Sequence, residues 1–218
     1  MWEGERLTAL FNTPIWTGCL SAERRTQPGT AIIKDQKYWL PILGLYSGNR
    51  LEEFAQQHRS DVRQTEGLWH FTLNDDGDKQ LKNDQSARRV PIHPLLLLLG
   101  FLDYVEKAAP KANDRIFPLL RPGGPDRKVG YYFSKWWSRY GQGTGVYEKG
   151  YDYHSFRHSV TTKLAHQGVS LELRNELFGR EGTSTDEKFY LKGMPLAQLA
   201  AAIAKVEWPE VNFLLQSQ

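Results

Sequence analysis

Apolar residues recur at helical spacing along much of this chain of 218 residues. The pattern predicts a helix over Gln36–Leu45, with Gly48 as its C-cap, and a short second helix over Leu51–Gln57. Pro94 opens an apolar segment that predicts a helix to about residue 109, and a further helix is predicted from about 130 to 140. The segment beyond residue 150 predicts three or four more helices separated by glycines, so helix dominates the chain.

Three short strands are predicted between these helices, over Leu68–Leu73, Lys79–Lys82 and Arg88–His93. The turn-forming residues 74–77 separate the first two strands and favour an antiparallel arrangement. The predicted fold class is therefore α+β, mainly α-helical, with a small three-stranded antiparallel sheet. Residues 1–34 are rich in turn formers and predict an irregular segment or the remnant of an interdomain linker. Residues 35–218 are predicted to form one domain.

Composition narrows the class of protein. A single cysteine, Cys19, excludes an internal disulfide and a cysteine-based zinc site. No apolar run is long enough for a membrane helix, and the N-terminus lacks a signal-peptide pattern, so a cytoplasmic location is predicted. The net charge is only +3, but residues 111–163 hold ten Lys and Arg against four Asp and Glu, an excess of +6. Aromatic residues interleave with this basic stretch, which suits either a polyanion-facing surface or a solvated helix with half-buried aromatics.

Residues His154 and Arg157 are the first candidates for chemistry. Because they lie three apart on a predicted helix, they share a face, where a guanidinium can bind phosphate oxygens and an imidazole can move a proton. Taken alone, the two residues are better explained as a surface polar pair, because chance matches to His-x-x-Arg are common. His154 and His158 have the spacing of two zinc ligands, but Ser155 stands where the metalloprotease signature requires glutamate. No third ligand is evident, so a zinc site is not favoured.

Other candidates come from separate parts of the chain. Arg50 follows a glycine turn at the start of a helix, where Glu53 could hold its guanidinium. Lys82 lies beside a hairpin turn, a mount from which a lysine could reach a substrate. Arg180 precedes Tyr190 by ten residues. A tyrosine hydroxyl has a pKa of about 10 and becomes a useful nucleophile when nearby cations stabilise its phenolate. Each of these residues also has an ordinary surface role.

The order of these residues resembles the tyrosine recombinase (phage integrase) family. That family shows Thr-Gly-x-Arg-x-x-Glu, a hairpin lysine followed by Ser-x-Arg-x-Val-Pro, then His-x-x-Arg, Gly-His and a C-terminal tyrosine. The run of residues 89–94, Arg-Val-Pro-Ile-His-Pro, and residues 100–104, Gly-Phe-Leu-Asp-Tyr, are similar to those of prophage integrases. The corresponding motifs here contain, in order, Arg50, Glu53, Lys82, His154, Arg157, Arg180 and Tyr190. The resemblance covers residues 35 to 212 and identifies them as a catalytic domain.

The resemblance implies site-specific recombination of double-stranded DNA without a metal ion or a nucleotide cofactor. Tyr190 would attack a backbone phosphate and form a 3′-phosphotyrosyl intermediate. Arg50 and Arg157 would bind the non-bridging oxygens, and His154 would assist proton movement. Lys82, with Lys79 as the fallback, would protonate the departing 5′-oxygen. Glu53 would support Arg50.

Two departures from the family pattern keep other functions open. Arg180 stands where the family usually has His or Trp, and residues 1–34 are too few for the core-binding domain that normally precedes the catalytic one. A catalytically inactive DNA-binding remnant of a prophage integrase, a type IB topoisomerase and a generic helical interaction domain are the alternatives. The resemblance implies a monomer in solution and a tetramer on paired DNA sites. The apolar stripe of residues 196–206 or the tail of residues 208–213 would either reach a neighbouring protomer or pack on its own domain.

Overall fold

The structure is a computed structural model that describes residues 1–81, 86–180 and 194–215. Three strands form one antiparallel sheet in the order β1-β2-β3, with β1 at Val62–Thr65, β2 at Leu68–Leu73 and β3 at Arg88–Pro91. Short 3-10 helices occupy Arg59–Asp61 and Pro209–Leu215. The α-helices, numbered α1 to α10 in chain order, are Gly4–Phe11, Pro14–Thr17, Gln36–Ser47, Leu51–Ala55, Pro94–Leu98, Phe101–Ala108, Tyr131–Thr144, His154–His166, Leu171–Phe178 and Leu196–Ile203. The predicted α+β class, mainly helical with a three-stranded antiparallel sheet, is confirmed.

Helix α3 lies at the centre of the core. All its residues except Lys37 are buried, and helix α8 packs along it. The side chain of Asp35 caps its first turn by accepting a hydrogen bond from the Lys37 N–H. Gly48 ends it in the left-handed conformation with φ of 66°, which confirms the predicted C-cap. Helix α4 begins three residues beyond this cap, so the end of α3 also sets the position of Arg50.

The sheet contains three strands, but one of them was predicted in the wrong place. The strand β1 pairs with β2 through a two-residue turn in which Glu66 and Gly67 both have positive φ, as a tight hairpin requires. The predicted strand at Lys79–Lys82 does not form over its described residues, 79–81. The backbone of Gln80 instead exchanges two hydrogen bonds with the side chain of Gln56. The backbone of Gln80 therefore pairs with a glutamine side chain and not with a neighbouring strand.

Two further predictions about helices are corrected. The apolar segment after Pro94 forms two helices, α5 and α6, because Gly100 adopts φ of 79° between them and interrupts the helical hydrogen bonds. Residues 1–34 are not wholly irregular, since they contain α1 and α2. Trp2, Phe11 and Trp16 belong to the same core as the rest of the chain, and Trp2 donates hydrogen bonds to Ser159 Oγ and Ser155 Oγ. Helices this short are marginal alone and depend on such tertiary packing.

The C-terminal residues pack on their own domain. The apolar stripe of α10 is buried and lies against β3, α9 and β2. Trp208 is also buried, donates from Nε1 to the carbonyl of Leu45 at 3.0 Å, and lies under the ammonium group of Lys163 at 4.4 Å. In this structure of a single chain, both segments contact their own domain. Among the described residues, none of the helices has the length and apolar character that crossing a bilayer requires.

Candidate functional site, a cluster of arginines

Arg50 and Glu53 lie together at the start of α4. The Glu53 carboxylate accepts hydrogen bonds from the Arg50 backbone N–H at 2.8 Å and from Arg50 Nη1 at 2.9 Å. It also accepts from Arg88 Nη1 at 3.2 Å and Nη2 at 3.1 Å. Burial alone would raise the pKa of Glu53, but the charges of Arg88 and Arg50 and their hydrogen bonds lower it overall. Glu53 is therefore an ionised group shared by two arginines.

Arg88 was not among the residues predicted for the site. Its side chain is 2% exposed. Nε donates to the Leu177 carbonyl at 3.0 Å, Nη1 donates to the Ser86 carbonyl at 2.7 Å, and Nη2 donates to Asn49 Oδ1. With the two bonds to Glu53, all five N–H donors of this guanidinium have acceptors. Two sequence signals could have found it. Arg88 stands at the arginine of the family motif Ser-x-Arg-x-Val-Pro, in residues 86–91, and strand alternation places it on the same face of β3 as the buried Val90.

Arg157 joins two helix ends inside the protein. It is 4% exposed, and it donates from Nη1 to the Gly48 carbonyl at 3.3 Å and from Nη2 to the Phe178 carbonyl at 2.6 Å. Gly48 follows α3 and Phe178 ends α9, so both carbonyls lie at helix C-termini, where a cation is favoured. Burial, and next the charge of Arg50, lower the pKa of Arg157 to about 9. The guanidinium still carries its charge at neutral pH.

Arg180 lies near an aromatic ring that Arg157 also approaches. The buried ring of Phe178 has the Arg157 guanidinium 5.0 Å and the Arg180 guanidinium 5.5 Å from its centroid. Arg180 Nη2 makes a long contact of 3.5 Å with Thr161 Oγ1. Partial burial and the nearby charges of Arg174 and Arg50 lower the pKa of Arg180. Arg50, Arg157 and Arg180 therefore converge, although they lie on three separate segments of the chain.

His154 is exposed at the first residue of α8. Its ring centroid lies 5.5 Å from that of His158. Burial of part of the ring, and then the charges of His158 and Arg157, lower its pKa below the ordinary value of 6.5. The imidazole is thus mostly neutral at pH 7 and can accept a proton. Across residues 1–81, 86–180 and 194–215, no three His, Cys, Asp or Glu side chains come together as metal ligands.

The arginines differ in how many N–H donors remain unused. This difference determines whether each one can bind a substrate. Among the described residues, Arg50 uses one N–H of its five on Glu53, and Arg157 uses two on carbonyls. Neither Arg157 nor Arg180 forms an ion pair with a carboxylate in the described part of the chain. Of the four guanidinium groups, those of Arg50 and Arg88 contact Glu53, and the other two contact no carboxylate among the described residues. Within the described residues, the cluster has more positive than negative charge and has donors without acceptors there, which suit an anion with several oxygens.

The basic and aromatic stretch lies next to this cluster. The side chain of Glu52, in α4, accepts hydrogen bonds from the backbone N–H groups of Val129 and Gly130 at 2.7 and 2.8 Å. Helix α7 therefore begins beside the helix that presents Arg50. On α7, Trp137 and Tyr140 are buried, whereas Tyr132 is 56% exposed. The helix is half-buried, and its exposed side carries basic and aromatic residues.

The positions of Lys82 and Tyr190 lie outside the described residues. Lys79, the fallback for Lys82, is buried and donates from Nζ to both carboxylate oxygens of Asp61, at 2.7 and 2.8 Å. The same carboxylate accepts from Asn74 Nδ2 and from the His58 backbone N–H. Lys79 is thus committed to an internal ion pair. This favours Lys82 over Lys79 as a lysine available to a substrate.

The Lys79–Asp61 pair predicts how stability depends on pH. Burial would raise the pKa of Asp61, but hydrogen bonds from Lys79, His58 and Asn74 lower it below the ordinary 3.8. Its contribution is therefore complete above about pH 4 and is lost as the pH falls through the depressed value. We expect Asp61→Asn to reduce the free energy of unfolding at pH 7 by about 3–5 kcal/mol, because it strands a buried ammonium group.

Urea denaturation at several pH values measures this effect. The variant should also lose less stability than the wild type as the pH falls below 4. Asp78→Asn is the matched control, because Asp78 pairs with Arg115 but its side chain is 62% exposed. Equal losses in the two variants would contradict the prediction.

Comparison with known proteins adds one structural likeness. No family model matches this chain, and no curated protein sequence matches it. The fold is similar to that in the crystal structure of the XerH site-specific recombinase bound to difH substrate in a pre-cleavage complex, with a TM-score of 0.47 at 20% sequence identity. The match covers 76% of this chain and 45% of that one, so this chain spans less than half the length of that recombinase. By its own residues, the site is a cluster of cationic side chains.

Proposed function

We propose that this chain is the catalytic domain of a tyrosine recombinase, which cuts and rejoins double-stranded DNA at specific sites. The observation that carries the proposal is the convergence of Arg50, Arg157 and Arg180 beside His154. Arg157 contacts the Gly48 carbonyl, two residues before Arg50 in the chain, and shares the ring of Phe178 with Arg180. A phosphate that passes between DNA strands needs such donors, because negative charge develops on its non-bridging oxygens.

In the proposed reaction, the hydroxyl oxygen of Tyr190 attacks a backbone phosphorus, and the bond from phosphorus to the 5′-oxygen breaks. The free donors of Arg50 and Arg157 bind the non-bridging oxygens, and Arg180 adds a third cation to the same group. Neutral His154 accepts or relays the tyrosine proton, and Lys82 protonates the departing 5′-oxygen. The 3′-phosphotyrosyl bond retains the energy of the broken one, so rejoining to another strand uses no nucleotide cofactor.

Partners follow from the same proposal. DNA is bound by the arginine cluster together with the exposed basic residues of α7. The protein is a monomer in solution and assembles as a tetramer on paired DNA sites in the cytoplasm, as in prophage integration or excision. Phosphate contacts of this kind give binding that weakens steeply with added salt.

Covalent trapping tests the proposal. The probe is a pool of duplexes with randomised sequence on both sides of a nick, incubated with protein in EDTA. We expect the wild type to form an SDS-stable protein–DNA complex, and Tyr190→Phe to form none while still shifting the same DNA in a native gel. Tyr147→Phe is a matched control, because Tyr147 is 48% exposed and lies outside the arginine cluster.

Each alternative has its own result. A complex formed by both the wild type and Tyr190→Phe would mean that another residue is the nucleophile. DNA binding without any covalent complex would favour the inactive remnant. Relaxation of supercoiled plasmid without a preferred sequence among the captured duplexes would favour the topoisomerase.

A further inference from the structure

Two buried arginines join the same two segments of the chain. Arg88 binds the side chain of Asn49 and the carbonyl of Leu177, whereas Arg157 binds the carbonyls of Gly48 and Phe178. One segment is therefore residues 48–49 and the other is residues 177–178. Arg88 comes from β3 and Arg157 from α8, so the two connections are independent of each other.

Each connected segment leads directly to an arginine of the cluster. Arg50 follows residue 49, and Arg180 lies two residues beyond residue 178. Arg88 also binds both oxygens of Glu53, which holds the backbone and the side chain of Arg50. The distance between the Arg50 and Arg180 guanidinium groups thus depends on Arg88 at both ends.

We propose that Arg88 is a positioning residue that holds Arg50 and Arg180 at the separation at which both bind one phosphate. It does not itself touch the substrate, because all five of its donors are already used inside the protein. This inference rests on the proposed function for the identity of the substrate. It adds Arg88, and the positioning of two other arginines, to the residues and roles of the proposed reaction.

Stability alone does not account for an arginine at this position. Buried ion pairs contribute little net stability, and well-packed neutral side chains often replace them without loss. Only arginine, however, supplies five donors in a rigid plane. Five acceptors surround this one, on Asn49, Glu53, Ser86 and Leu177. Lysine has three donors at a single point and cannot span these segments.

The test separates positioning from folding by removing Arg88 together with the charge it neutralises. Arg88→Met alone strands the Glu53 carboxylate, and we expect its melting temperature to fall. Arg88→Met with Glu53→Gln removes both buried charges, and we expect the melting temperature to return towards that of the wild type. Arg89→Met is the matched control, because Arg89 neighbours Arg88 on β3 and is only half-buried.

The first readout is titration with inorganic phosphate, followed through the side-chain N–H signals of the arginines by NMR. In the wild type, we expect Arg50 and Arg180 to respond along one binding curve, and Arg88 not to respond. In the double variant, we expect two separate curves, each weaker by about tenfold, because each arginine then binds phosphate alone. Separate curves in the wild type, or a single unchanged curve in the double variant, would overturn the proposal.

The second readout is the rate at which SDS-stable complex forms on captured duplex at saturating DNA. We expect the double variant to be about 100-fold slower than Glu53→Gln, since a displacement near 1 Å in an active site has this effect. Equal rates at equal melting temperature would mean that Arg88 acts through folding only. If the wild type forms no covalent complex yet shows one phosphate curve, the positioning role stands and the proposed function fails.

Discussion

Arg50→Ala is expected to slow formation of the covalent protein–DNA complex by about 100- to 1,000-fold, the usual effect of removing one donor from a developing oxyanion. Its guanidinium uses one of its five donors on the residues that the structure describes, and its side chain is 25% exposed. Folding should be little affected, because Glu53 keeps its two bonds to Arg88. The measurement is the rate of SDS-stable complex formation at saturating DNA, with a native gel for binding.

Two further variants make this result specific to Arg50. Arg50→Lys keeps the charge but replaces a planar fork with a single point of donation, so we expect a rate between those of alanine and the wild type. Arg24→Ala removes one positive charge from an exposed loop position outside the cluster and should leave the rate unchanged. If Arg24→Ala slowed the reaction as much as Arg50→Ala, general charge would explain the effect and Arg50 would have no particular role.

Gly48→Ala is expected to lower the free energy of unfolding by about 2–5 kcal/mol, from left-handed strain and crowding together. Gly48 has φ of 66°, and an added Cβ would lie 2.6 Å from Phe178 Cε1 and 3.1 Å from Val160 Cβ. For a chain of this size the melting temperature should fall by roughly 10 °C. Movement of Phe178 should also disturb Arg157 and Arg180, because both guanidinium groups lie over its ring.

Gly145→Ala separates strain from crowding. Gly145 is also a left-handed C-cap, with φ of 76°, but nothing lies within 4 Å of the Cβ that alanine would add. We therefore expect only the strain part of the effect there, about 1–2 kcal/mol. Thermal melting of both variants measures the difference. Equal destabilisation of the two variants would show that Phe178 moves away from the added Cβ at little energetic cost. The close approach of Phe178 to Gly48 would then have no importance for the site.

Much of the fold could be predicted from local patterns. The helix α3 and its C-cap at Gly48 followed from apolar spacing and one glycine, because both act within a few residues of chain. The strand β1 was missed because Glu66, a residue that rarely adopts positive φ, occupies its hairpin turn. Helices α1 and α2 were missed because helices this short are stabilised by burial of residues such as Trp2 and Trp16 rather than by their own pattern.

The candidate site was predicted as a set of residue types in order, and the structure added their surroundings. The contact between Arg50 and Glu53 could be predicted, since the two residues lie three apart at a helix start. The saturation of Arg88 could not, because its acceptors include Leu177, which lies 89 residues away in sequence. For the same reason, the sequence did not show that Lys79 is unavailable to a substrate. Its partner in a buried ion pair, Asp61, belongs to another segment of the chain.

By itself, the sequence determined which chemistry is available: arginines, a histidine, a lysine and a tyrosine in a fixed order, several of them on helices whose faces follow from spacing. Only the tertiary structure decided which of the described groups already have their donors bound to acceptors inside the protein. A guanidinium has the same five donors wherever it stands, so its role depends on the acceptors that folding brings to it. Arg88 and Arg157 meet acceptors from segments distant in the chain, which no local pattern contains, whereas Arg50 uses one of its five donors on the residues that the structure describes.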